Sequence, residues 1–244
     1  MKAVVTAGGR IEDAFARAAG VRVKALAQIR GETMLARVLR ALREAGTTRI
    51  AVVGGDEVRA ACAGGVERFI PESPSGSENL LRALAAWPED GEALLYATSD
   101  LPYVTGDAIG DFVARLPAGT LGIALAEFED FATRFPQSPP AGITLAGERV
   151  VNGGLFSIPG GGAAKIASVA ARFFEARKQP WRMAGIVGPF SLVRFALGRL
   201  EIGDLERLAT RVLLLPSLAV RRCAPELAFD VDTEAEYRYA CAHG

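Results

Sequence analysis

The chain has 244 residues, half of them apolar and 23% charged, with 28 Lys and Arg balanced by 28 Asp and Glu. That length can bury a substantial core, and the zero net charge argues against a global basic field of the kind that attracts nucleic acid or anionic membranes. The one histidine, His243, stands next to the last residue, which argues against Ser-His-Asp or Cys-His catalysis and against histidine-rich metal sites.

Strand-like and helix-like segments alternate from the start. KAVVT (2–6) reads as a buried strand, followed by the turn AGGR (7–10) and the helix-like IEDAFARAAG. MLARVLRALREAG (34–46) carries Leu35, Val38, Leu39 and Leu42 at helical spacing, with Gly46 to close it. RIAVVGG (49–55) is the next strand, followed by a short helix near 56–63, a strand at 66–70 and the loop PESPSGS. SENLLRALAAW (77–87) is a helix whose first residues offer a cap. EALLYATSD (92–100) is a long strand, TGDAIGDFVARL (105–116) a helix capped by Thr105, and TLGIALAEF (120–128) a strand.

The second half changes character. SPPAG and PGGG are loop punctuation around ITLAGERVVNGGLFSI, which reads as antiparallel strands joined by tight turns. Residues 163–213 are mostly helical, with breaks at Pro180 and Pro189; SLAVRRC is a strand; Thr233 and Glu236 form a capping box for a last helix. This alternation predicts an α/β fold, Rossmann-like, with a mainly parallel mixed sheet flanked by helices and a helical elaboration in the C-terminal half. No apolar run approaches a membrane span of about 18 residues, and Met1 leads straight into a strand with no signal segment. Cys62, Cys223 and Cys241 are odd in number and widely spaced, which points to reduced thiols and a cytoplasmic setting.

Ligands of open α/β sheets bind beyond the carboxyl ends of strands. Three candidates fall there. Gly8 and Gly9 form either a ligand-free turn or a nest of backbone amides for an anion; neither G-x-G-x-x-G nor a P-loop can be written onto them. Asp100 in SDLP is either a turn aspartate or a carboxylate for Mg²⁺. Asp230 and Asp232 share one face of FDVDT, either as a solvated edge or as further acidic ligands. Lys24 is either a surface charge or a cation that reaches phosphates. Together these parts suit phosphoryl or nucleotidyl transfer, which needs positioning and charge neutralisation more than proton shuttling.

The order of motifs resembles that of nucleoside-triphosphate transferases of the glycosyltransferase-A-like superfamily. V-V-T-A-G-G with K-A-L-A-Q-I-R-G-E-T-M-L is similar to their opening, Y-A-T-S-D-L-P to their metal-binding segment, V-N-G-G-L-F-S-I to their central strand and F-D-V-D-T-E-A-E-Y to their close. The nearest group is that of molybdenum-cofactor guanylyltransferase. The resemblance implies one nucleotidyltransferase domain, with 1–135 binding nucleotide and 136–244 binding acceptor. It implies that Ala7, Gly8, Gly9 and Arg10 line the nucleotide, Lys24 contacts the triphosphate, and Asp100 and Asp232 bind Mg²⁺. Pro74, Ser75, Gly76, Ser77 and Asn79 become the candidates for base and ribose, and Asn152 and Gly153 for the acceptor flank. Where the family loop carries an arginine this chain has Asp13, for which Arg10 or Arg17 is the available substitute. Lys165, Arg172, Arg177, Lys178 and Arg182 are either acceptor-binding cations or solvated helix faces. The expected reaction joins a nucleoside triphosphate to a phosphorylated acceptor, with no nucleic acid and no membrane. A nucleotide-sugar glycosyltransferase and a nucleotide-binding protein without activity are the alternatives.

Overall fold

The computed structural model describes residues 1–62, 64–88, 90–176 and 188–244. Its frame is one large sheet. The N-terminal strands are β1 (Lys2–Thr6), β4 (Arg49–Gly54), β5 (Arg68–Pro71) and β6 (Leu94–Thr98); β7 (Leu121–Glu127), β8 (Ile143–Leu145), β9 (Glu148–Ile158) and β10 (Ser217–Val220) complete it. The order is β10-β7-β9-β6-β1-β4-β5, with β8 paired on β9. Every pairing is parallel except those of β9 with β6, β7 and β8. A small hairpin, β2 (Gln28–Ile29) with β3 (Glu32–Thr33), stands apart.

The buried strands β1 and β4 are near-continuous apolar runs, as parallel strands covered on both faces must be. One face packs on α2 (Met34–Glu44) and α5 (Gly106–Ala114): Val5, Val52 and Leu95 meet Leu35, Val38, Leu42, Ile109 and Phe112. The other packs on α4 (Gly76–Leu84) and α7 (Gly162–Ala176), where Val4, Val53 and Leu94 meet Ala83, Leu84 and Trp87. Thr33 caps α2 and Thr105 caps α5 through side-chain bonds to Ala36 and Ala108 N–H. Between them lie α1 (Asp13–Ala19), α3 (Asp56–Ala61) and, directly after β7, α6 (Phe128–Arg134).

There are two differences from the sequence-based expectation. The helix expected over 77–87, with a cap among its first residues, instead runs from Gly76 to Leu84; Ser75 stands at its N-cap without a side-chain cap bond, and its hydroxyl is bonded to that of Ser77. Pro189 begins a helix rather than only breaking one: α8 (Pro189–Ala196) carries it in the first turn, where a missing N–H costs nothing. Pro180, Arg177, Lys178 and Arg182 lie outside the described residues. Helices α9 (Ile202–Leu213) and α10 (Glu234–His243) complete the chain, the latter with the expected Thr233/Glu236 capping box. Among the described residues no helix is long and apolar enough to cross a membrane. All three cysteines are unpaired.

A third apolar cluster lies beyond the carboxyl ends of the strands. Phe229 is its centre, with ring centroids 4.8 Å from Phe135, 5.0 Å from Tyr103, 5.5 Å from Tyr239 and 5.9 Å from Phe131. This cluster supports the segment that carries Asp230 and Asp232.

Candidate active site

A cleft of about 810 Å³ opens at the carboxyl ends of β1 and β6, bounded by the loop that enters α4. Strand alternation sets its floor: Thr6 and Gly8 follow one another on one face of the β1 exit, and Tyr96, Thr98 and Asp100 on one face of the β6 exit. The Tyr96 hydroxyl lies 3.0 Å from Thr6 Oγ1, and burial pushes its pKa above the usual phenol range.

Lys24 is brought to this cleft by the main chain. Its N–H donates to Gly9 O at 2.8 Å, Ile11 N–H donates to Arg22 O at 2.9 Å, and Arg10 bridges Val23. The residues after the glycine turn thus pair with those before Lys24, and a short 3₁₀ helix (Lys24–Leu26) follows. The Lys24 ammonium donates to Asp100 Oδ2 and to Asp232 Oδ1, each at 2.5 Å. Burial acts to lower the Lys24 pKa, but the carboxylates of Asp100 and then Asp232 outweigh it and hold the ammonium above its usual value. Asp100 is buried, whereas the Asp232 side chain is 64% exposed and forms the rim. The two acidic segments are tied by a backbone bond from Val231 N–H to Asp100 O at 3.0 Å. Glu236 accepts from the N–H groups of both Asp232 and Thr233, so the helix cap also fixes the Asp232 main chain.

Asp230 belongs to the same acidic group. Partial loss of hydration, then the Asp232 and Asp100 carboxylates, push its pKa up to about 6. A raised carboxyl pKa means that the folded state holds the proton more tightly than the unfolded chain. Its stabilising contribution is complete below the ordinary value of 3.8 and lost as the pH rises through about 6. Without metal, Asp230→Asn should therefore melt above the wild type at neutral pH and converge with it near pH 3.8. Parallel melting curves across that range would discard the acidic crowding.

The other half of the cleft is built around Glu72. A Cβ at Gly8 would lie 2.0 Å from Glu72 Oε2, and one at Gly55 would lie 2.7 Å from Glu72 Oε1. The carboxylate is inserted between two glycines, which gives Gly8 a reason beyond turn geometry. Glu72 Oε1 accepts from Arg10 Nη2 at 2.5 Å, and Arg10 Nη1 donates to Glu57 at 2.9 Å, so Arg10 is drawn toward α3. Glu72 Oε2 is buried with no hydrogen-bond partner. Gly9, by contrast, leaves ordinary contact distance to the Lys24 stem, 3.5 Å from a built Cβ to Cε.

The family of the MobA-like NTP transferase domain matches residues 3–234 of this chain. The chain belongs to this family. It is accordingly a transferase with a nucleotidyltransferase fold. A hypothetical transferase from Thermus thermophilus is 30% identical, with a TM-score of 0.81 over 97% of this chain and 98% of that one. A nucleotidyl transferase from Methanothermobacter is 19% identical (TM-score 0.58, covering 99% and 96%). A Mycobacterium tuberculosis protein solved with manganese is 18% identical (TM-score 0.54, covering 100% and 98%). The last two share the fold. Comparison with curated proteins gave no match.

In this MobA-like chain the sequence candidates are distributed unevenly. Gly8, Gly9, Arg10, Lys24, Pro74, Gly76, Asn79 and Asp100 line the cleft, with Asp232 held to it through Lys24. Ala7 is fully buried, its N–H donating to Val53 O. Ser75 and Ser77 bond one another, and the Asn79 amide is engaged on both sides by Ser73 N–H and Ser73 O, which closes the loop on itself. Asn152 is exposed on β9, outside the cleft lining. Gly153 is buried at the point where the β7 ladder slips, and a Cβ there would meet Ala124 Cβ and Leu227 O at 2.9 Å. Lys165 donates to Leu214 O, joining α7 to α9.

The cleft also holds residues not singled out from sequence: Glu72, Ser73, Leu80, Tyr96 and Thr98. Thr98 and Tyr96 stand two and four residues before Asp100, so counting back along the strand would have found them. Asp13 has φ +53° and lies in a neighbouring groove of about 830 Å³ together with Glu12, Arg17, Arg22 and Glu57.

The acidic pair also meets the chemical requirements of a hard cation. Asp100 Oδ1 is buried without a partner, and Asp100 and Asp232 converge from separate elements. Among the described residues no three His, Cys, Asp or Glu side chains are grouped to hold a metal ion. Two carboxylates are what Mg²⁺ asks of a protein when phosphates supply further oxygens.

Proposed function

We propose that this chain transfers a nucleoside monophosphate from a nucleoside triphosphate to a phosphorylated small-molecule acceptor, with release of pyrophosphate and dependence on Mg²⁺. One observation carries the reading: Lys24, Asp100 and Asp232 converge at the mouth of the cleft that begins with the glycine turn. Asp100 and Asp232 would hold the cation, which supplies charge neutralisation at the transferring phosphorus and the leaving oxygens. Lys24 would bind the triphosphate as a point charge, and Gly8 and Gly9 would let main-chain amides approach it. Ser73, Pro74, Gly76 and Asn79 would border the nucleoside, with the Ser73–Asn79 bonds keeping that wall rigid. A divalent metal is supported by the manganese-bearing neighbour. We read residues 1–135 as the nucleotide half and 136–244 as the acceptor half of one unit, with Asp232 returning from the second to complete the first, in a cytoplasmic enzyme.

Each of the four ribonucleoside triphosphates, tested with Mg²⁺ by thermal shift, is the first experiment. A bound triphosphate at 100 times its dissociation constant should stabilise the fold by about 2.7 kcal/mol. Phosphorylated acceptors added to that triphosphate should then release pyrophosphate. A nucleoside diphosphate formed only from a nucleotide sugar would replace this reading with glycosyl transfer. Binding without turnover over a broad acceptor set would leave a nucleotide-binding protein, the role that Asp13 and the engaged Arg10 favour.

A further inference from the structure

Lys24 occupies the place that a cation bound by Asp100 and Asp232 would need. Its ammonium is equidistant from the two carboxylates, at 2.5 Å from each, and its side chain is only 16% exposed. A dication and this ammonium exclude one another, both sterically and by like charge. The lysine has a second place to go. Its stem lies against Gly9, the residue borders the cleft, and a lysine ammonium is carried on a flexible four-carbon stem.

We infer that Lys24 is a resident counter-ion that makes metal binding conditional on triphosphate. This rests on the transferase reading and specifies how the same site is regulated. In the ligand-free chain the ammonium neutralises both carboxylates, so a divalent ion by itself meets an already satisfied pair. When a triphosphate reaches the glycine turn, its oxygens draw the ammonium away and Asp100 and Asp232 are released to the metal. Triphosphate and metal therefore bind with positive coupling through the movement of one side chain, in addition to any direct contact between them. Free metal in the absence of nucleotide leaves the centre closed.

The inference has an unusual sign. Removing a proposed catalytic lysine should improve metal binding. Mn²⁺ titrated alone, with free ion read from its electron paramagnetic resonance signal, should bind Lys24→Met about tenfold or more tighter than wild type. Adding Asp100→Asn to that variant should abolish the gain. Arg22→Gln removes one positive charge two residues away, where no carboxylate of the pair is engaged, and should leave Mn²⁺ affinity at the wild-type level. Equal affinity of Lys24→Met and wild type, or an equal gain in Arg22→Gln, would overturn the inference.

A second measurement needs no variant. The chain has four lysines, Lys2, Lys24, Lys165 and Lys178, so the Lys24 ε-methylene can be followed by carbon-13 NMR. Its signal should move on addition of metal-free triphosphate and stay in place with sub-millimolar Mg²⁺ alone. Movement with Mg²⁺ alone would also overturn the inference. If wild type binds no triphosphate under any condition, the transferase reading falls instead, whatever Lys24→Met does with Mn²⁺.

Discussion

Asp100→Asn should reduce nucleotidyl transfer by about 10²- to 10³-fold, the range expected when one preorganised charge at a reacting centre is removed. The substitution keeps the shape of the side chain and all of its main-chain bonds. Asp100 O still accepts from Val231 N–H, so the link between the two acidic segments survives. Lys24 keeps Asp232 as its second partner. The fold should therefore persist while the buried half of the acidic pair loses its charge. Steady-state pyrophosphate release with a melting curve on the same preparation would check both parts. The 64% exposed Asp232 is better screened by water, so Asp232→Asn should cost less. An unchanged rate in Asp100→Asn would remove this residue from the chemistry.

The second large effect concerns stability. Phe229→Ala should cost about 3–5 kcal/mol, the usual price of deleting a buried aromatic ring. Its ring is 2% exposed and contacts four other aromatic rings, so the space left behind cannot be filled from one side. The lesion sits one residue before Asp230 and three before Asp232. Activity should fall further than the unfolded fraction explains, because the acidic segment loses its backing. Phe229→Leu, which refills much of the volume, should recover most of both. Equilibrium denaturation of the two variants gives the measurement; a loss below about 1 kcal/mol for the alanine variant would contradict the packing argument.

The local elements were legible because their causes are local. Leu35, Val38, Leu39 and Leu42 specify α2 by spacing alone, and all four are buried. Thr105 and the Thr233/Glu236 pair announce their helices by the side chains that cap them. The convergence of Lys24, Asp100 and Asp232 follows from no local pattern; the gathering of ligands at strand carboxyl ends suggests it, and the resemblance of motif order specifies it. Glu72 was missed for the same reason. Its meaning depends on Gly8 and Gly55 leaving room for it, a contact no spacing rule contains. The polar segment PSGSEN points by its sequence outward, toward a nucleoside, whereas much of its polarity is engaged inward in bonds among Ser73, Glu78 and Asn79. Gly153 carries a packing demand from Ala124 and Leu227 that its place in N-G-G does not disclose. Helix α6 follows β7 with no intervening loop, so it lacked the punctuation by which the other helices were found.

The ion pair between Lys24 and Asp232 joins positions 208 residues apart. Closing so long a stretch of chain early in folding is entropically unfavourable, and contacts of this range form late. A nascent polypeptide emerging from the ribosome would thus display its glycine turn, lysine and first carboxylate well before the segment around Asp232 arrives to join them. The three-residue centre would then assemble only once the segment around Asp232 has been made, and chains stopped short of it would lack one of its two carboxylates.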